Sequence, residues 1–262
     1  MEQDTKSNKS EMAADVSALK KSSTHETDTQ RFADIDFLDR AKGREPAKTK
    51  NISLDEWEGK LTETCFNYPR PERADLGIFY ERICKNCSNE NLILVNAPEQ
   101  GRRAAELTFE LAWEVATSQE KRTLIIDCDM RDSQLSKIFK LDKEAGISNL
   151  IARTHVAEDV VRRTNLKNIY LTQCGTAKVN PINALMSSEF LRFVDQMISR
   201  FDFVLLNSPP YNGFVDTFIL AKFVRPTFVM TLPPNPDKRS YENILDELDV
   251  LDLSVLRLID GR

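Results

Sequence analysis

An α/β fold, a mostly parallel sheet sandwiched by helices, is predicted by three observations. From Asn91 onward, short apolar runs alternate with amphipathic stretches, the pattern of repeated βα units. The runs are nearly continuous rather than alternating in polarity, as strands covered on both faces require. Glycine is scarce, 8 of 262 residues where about 7% is usual, which excludes collagen-like, glycine-linker and many-hairpin architectures.

In chain order, residues 1–52 come first, rich in Lys, Ser, Thr, Asp and Glu without sustained periodicity. Such a segment cannot bury enough apolar surface to offset chain entropy, so a disordered N-terminal arm is expected. Phe32–Leu38 (FADIDFL) within it has the character of a short docking peptide. Residues 53–262 are expected to form the domain, with its core over 91–262. The apolar runs predict strands at Leu92–Val95, Leu124–Ile126, Ile169–Leu171, Phe203–Leu206, Thr227–Met230 and Val255–Ile259. Helices are predicted over Ala104–Thr117, Ser187–Arg200, Phe214–Phe223 and Ser240–Leu251; in the first, Leu107, Leu111 and Val115 recur at four-residue spacing.

Composition narrows the function classes. The hydrophobic share is 41% with 14 Phe, enough for a substantial core. A formal net charge of -5 argues against a phosphate-backbone binder, so nucleic acid is not an expected partner. Met1–Gln30 has no apolar h-region and is not expected to be a signal peptide. Val215–Leu232 is interrupted by Asp216, Lys222, Arg225 and Pro226, short of the roughly 20 apolar residues a bilayer span needs. The 5 cysteines (Cys65, Cys84, Cys87, Cys128, Cys174) are scattered, as expected of reduced thiols in a cytoplasmic protein. Cys84 and Cys87 form a CxxC, either two thiols near a helix end or half of a metal or redox motif. The 2 histidines, His25 and His155, are expected on the surface or in loops.

Three segments carry chemistry. The first strand runs into Asn96-Ala97-Pro98-Glu99-Gln100-Gly101 and then a helix, the place of a phosphate-binding P-loop. A working loop needs glycines, a Lys for the β/γ-phosphates and a Ser/Thr hydroxyl for Mg²⁺. Here Gly101 remains, followed by Arg102, Arg103 and Ala104. The second strand ends in Asp127-Cys128-Asp129-Met130-Arg131, at the sheet edge where α/β folds place ligands. Asp127 and Asp129 are either a Mg²⁺-holding pair or a solvated carboxylate pair at a strand end. A third strand ends in Asn207-Ser208-Pro209-Pro210, with an amide where a Walker B carboxylate would stand.

From about Arg73 onward these segments resemble the cytoplasmic kinase domain of the bacterial tyrosine kinases of capsule and exopolysaccharide export. That family, the BY-kinases of CpsD/CapB type, is related to the MinD/ParA ATPases. The resemblance rests on Leu124–Arg131, the family's three aliphatics followed by DxDxR. It extends to Gly146–Leu150, to Asn180-Pro181 with Leu185–Glu189, to FDFVLLNSPP and to Asp216 in the next helix. It implies a P-loop NTPase-like fold, ATP and Mg²⁺ as cofactors where the site functions, and a membrane-anchored polysaccharide co-polymerase as partner. The chain would then be cytoplasmic and peripheral to the inner membrane. Family-equivalent catalytic positions are Asp127, Asp129, Arg131 and Asn207, with Asp127 and Asp129 as metal ligands.

The departures fall on the ATP-handling parts. The family's Lys and Ser/Thr are replaced by Arg102, Arg103 and Ala104, and its Walker B Asp by Asn207. Its C-terminal tyrosine cluster is reduced to Tyr241, the one tyrosine after Asn235, and its ExxRxxR oligomerisation pattern to Phe79, Arg82 and Lys85. Guanidinium is longer and forked, a poor fit to a site shaped for an ammonium. Arg102 or Arg103 is therefore expected to fill the vacant cation space and pair with Asp127 or Asp129. The expectation is a degenerate, non-catalytic family member that binds no cofactor and acts as an adaptor, with self-association open. The rivals are a divergent active autokinase and a MinD/ParA-like ATPase.

Overall fold

A computed structural model describes residues 57, 61–65, 71, 75–86, 91–141, 143–211, 215–233 and 238–259. The expected arm, with His25 and Phe32–Leu38, lies outside the described residues, as do Cys87 and Phe214. In chain order the elements are β1 (Thr62–Thr64), α1 (Asp75–Asn86), β2 (Leu92–Asn96), α2 (Gly101–Ser118), β3 (Thr123–Asp127) and α3 (Gln134–Ile138). Next come α4 (Ile147–Ile151), α5 (Ala157–Val160), β4 (Arg162–Thr164), β5 (Ile169–Thr172), α6 (Pro181–Leu185) and α7 (Ser188–Arg200). Last are β6 (Phe203–Asn207), α8 (Asp216–Val224), β7 (Thr227–Leu232), α9 (Lys238–Asp249) and β8 (Val255–Ile259).

The strands form one 8-stranded sheet in the order β1-β4-β5-β3-β6-β2-β7-β8. Neighbours run parallel except β4 and β5, which are antiparallel. The predicted α/β architecture is thus the observed one. Every residue of β2, β3, β5, β6 and β7 is buried, which is why their sequences read as continuous apolar runs. Alternation then sends side chains to two faces. Ile93, Val95, Ile125, Leu205 and Val229 pack with Phe79, Ile83, Leu107, Phe109 and Leu111 of α1 and α2.

Two strands were not expected. β1 reads Thr-Glu-Thr and β4 Arg-Arg-Thr; β1 is the exposed margin of the sheet, and β4 beside it is buried or half-buried. Helix α7 starts at Ser188, one residue later than expected, because the Ser187 hydroxyl caps it by accepting from Phe190 N at 3.2 Å. Helix α2 begins at Gly101 rather than Ala104, so Gly101, Arg102 and Arg103 lie on its first turn. No helix among the described residues is long and apolar enough to cross a membrane.

Candidate functional site

The parallel register sets Asp127 directly beside Asn207, the last residues of adjacent strands β3 and β6. Both are wholly buried and Asp129 is 2% exposed, so the solvated-pair alternative for the two aspartates is incorrect. Asp127 Oδ1 accepts from Asn207 Nδ2 at 2.9 Å and from Asp129 N at 3.2 Å, and Oδ2 accepts from Ser133 Oγ at 2.8 Å. Burial is the main reason the Asp127 carboxyl is pushed up to about 6, and Asn207 donation holds it from going higher. Asp129 accepts from the backbone N–H groups of Arg131 (3.3 Å) and Asp132 (3.1 Å), and its carboxyl too is raised by burial. Beneath this turn the Cys174 thiol donates to Asp129 O at 3.0 Å.

Arg131 finds its main partner outside its own loop. Its Nε and Nη2 donate to Asp216 of α8 at 2.5 and 3.0 Å, a two-point ion pair with a carboxylate that is 1% exposed. That pair ties the turn after β3 to α8.

The loop ahead of α2 is a tight turn in which Gln100 N donates to Ala97 O at 3.3 Å. Gly101 lies under Pro210: a Cβ there would stand 3.2 Å from Pro210 Cδ and 3.6 Å from Gln134 Cγ. The expected pairing of Arg102 or Arg103 with Asp127 or Asp129 does not occur. Arg102 Nε donates to Glu106 at 3.0 Å, and Arg103 reaches along α2 to both oxygens of Glu110 at 3.3 and 3.2 Å. The reason is proximity on the helix: carboxylates three, four and seven residues on share the arginines' face. They also place negative charge close to a helix start that otherwise carries two cations against the dipole. Ala104 is wholly buried and brings no hydroxyl.

The groups that a phosphate-binding loop uses for ATP and Mg²⁺ are changed at these positions. Both carboxylate oxygens of Asp127 already have protein donors, no ammonium or hydroxyl follows Gly101, and the glycine is covered. The motif segments are brought together, but the three residues that complete the network carried no motif. Ser133, in a left-handed conformation (φ 30), Thr108 and Cys174 come from a turn, a helix interior and a strand end. Only the spacing of a Ser six residues after Asp127 could have flagged one of them.

Of the remaining expected residues, Phe79 is 2% exposed and belongs to the core, away from the solvent-facing Arg82 and Lys85. Lys85 pairs with Glu81 at 3.6 Å. Cys84 is half-buried on α1, and His155 sits in the loop before α5 with Nδ1 3.0 Å from Thr154 Oγ1.

The chain is 27% identical over 168 residues to the tyrosine-protein kinase ptk of Acinetobacter johnsonii, covering 64% of this chain and 23% of that one. It is 25% identical over 175 residues to the tyrosine-protein kinase CpsD of Streptococcus pneumoniae, covering 65% and 77%. It therefore spans less than a quarter of the first relative's length. The VpsO kinase domain has a similar structure, with a TM-score of 0.63 at 20% identity over 71% of this chain and 90% of that one. The cell division ATPase MinD of Pyrococcus furiosus does too, at 0.52 and 17% over 63% and 69%. No family model matches the chain. The relatives are bacterial tyrosine-protein kinases, and the fold is the one shared by their kinase domains and MinD.

Proposed function

We propose that this chain is a tyrosine-kinase-like protein of capsule or exopolysaccharide synthesis that transfers no phosphoryl group. It acts instead as an adaptor on the cytoplasmic tail of a membrane-anchored polysaccharide co-polymerase. Residues 53–262 form the docking domain, and residues 1–52, with Phe32–Leu38, offer a second contact. The observation that carries this reading is the first turn of α2. Arg102 and Arg103 stand where the kinase pattern has its Lys and Ser/Thr, and both are tied to Glu106 and Glu110 on their own helix. Phosphoryl transfer runs almost wholly on positioning and charge stabilisation, so losing the ammonium and the Mg²⁺ hydroxyl removes its main supports.

Calorimetric titration with ATP and Mg²⁺ tests the non-catalytic half: no saturable heat is expected, and no phosphotyrosine on the purified chain. Micromolar binding that Asp127→Ala abolishes overturns it. The adaptor half predicts that the chain sediments with membranes from cells producing the co-polymerase and stays soluble without it; a chain that is soluble in both cases rejects that half.

A further inference from the structure

Resting on the non-catalytic reading, we infer that Asn207 is a positioning residue: its amide takes the place of a bound cation in holding Asp127. The argument is one of geometry and proton count. Asp127 and Asn207 end neighbouring parallel strands in direct register, so sheet spacing fixes their separation and neither can retreat. Asn207 Nδ2 donates to Asp127 Oδ1 at 2.9 Å. Its Oδ1 accepts a long bond, 3.4 Å, from the Thr108 hydroxyl, whose shorter bond goes to Ala104 O at 2.8 Å. Asp127, Asn207 and Thr108 are all wholly buried.

A group at 207 must therefore donate to Asp127, which an amide does and an ionised carboxylate does not. An ionised aspartate there would put a third negative charge beside Asp127 and Asp129 in a dry setting, a repulsion that a cation or a shared proton has to offset. The asparagine lifts that requirement. The strand ends of this chain thus have one settled arrangement that owes nothing to metal.

Thermal unfolding of the full chain in EDTA and in millimolar magnesium tests this without ATP. The unsubstituted chain is expected to show the same Tm in both. Asn207→Asp is expected to lose roughly 5 °C in EDTA and to regain part of it with magnesium. The exchange Asp127→Asn with Asn207→Asp restores a donor facing an acceptor between the two strands, and it is expected to recover part of the lost Tm in EDTA even if the single variant fails to fold, short of the original because the amide at 127 then also meets the Asp129 N–H. The inference is overturned if Asn207→Asp alone keeps the original Tm in EDTA, if the exchange recovers nothing, or if magnesium raises the Tm of the unsubstituted chain. ATP binding by that chain would reject the non-catalytic reading, a separate measurement that leaves these Tm outcomes to be judged on their own.

Discussion

Asp127 is a buried carboxylate whose proton count differs between the folded and unfolded chain. An ordinary aspartate titrates near 3.9, and burial moves this one to about 6 in the fold. Between those values the folded state holds the extra proton, so this group's contribution is fully present below about pH 4 and is lost as pH rises through 6. Asp127→Asn removes the cost of ionising there while still accepting from Asn207 and Asp129 N. It is expected to stabilise the fold at pH 8 by roughly 2 kcal/mol and to change little at pH 4, read by thermal unfolding at the two pH values. In an active metal-dependent kinase the same change would remove a ligand. Arg131 gives the opposite case: Arg131→Met strands the 1%-exposed Asp216 carboxylate. A loss of about 2 kcal/mol in urea unfolding is expected, discounted because the guanidinium is 33% exposed. The sequence marked Asp127, Asp129, Arg131 and Asn207 as one constellation. It could not show that Arg131 turns to α8, because that partner lies 85 residues on and nothing local selects it.

At the scale of elements, the fold was legible where strands carry apolar runs and illegible where they are short and polar. Leu92–Asn96 and Phe203–Asn207 announce themselves by continuous apolar side chains, whereas β1 and β4 are held by paired backbones and by Arg162, which bonds the Thr62 hydroxyl and pairs with Glu144 at 2.6 Å. Helix α4 is another element that periodicity missed; with only 5 residues it is seated by its ends. Asn149 Oδ1 accepts from Gly146 N at 3.2 Å and Thr176 N at 2.8 Å, and the Ser148 hydroxyl accepts from Ala177 N at 3.1 Å. That approach leaves no room for side chains on the glycines. A Cβ on Gly146 would stand 2.1 Å from Gln173 O, and one on Gly175 (φ +93) 2.5 Å from Asn149 Oδ1. Gly146→Ala is expected to cost about 3 kcal/mol, the range of overpacking with backbone displacement. Gly175→Ala adds a left-handed penalty to its clash. Both are measured as a shift of the urea midpoint at unchanged slope.

For the whole molecule, the sheet order sets a gradient of protection. β3, β6 and β2 lie inside with partners on both sides, while β1 closes one margin as a three-residue strand with Glu63 at its surface. Amide exchange is expected to be slowest in the inner strands and fastest in β1, and uniform exchange across the sheet would contradict this order. The glycine-poor loop before α2 acquires a meaning at this scale too: the chain keeps the framework of a nucleotide-handling fold while its strand ends are closed by its own side chains. Cys174 and Cys128 lie fully within that closure, flanking the aspartate turn, and burial pushes both thiols up. Cys65 is exposed and stands open to reagent in the intact fold, whereas Cys84 is half-buried and packed against the core. A thiol-reactive dye should therefore mark Cys65 at once and the inner pair only when the β3–β5 region parts, making the slow phase of labelling a built-in clock for how often this interior meets water.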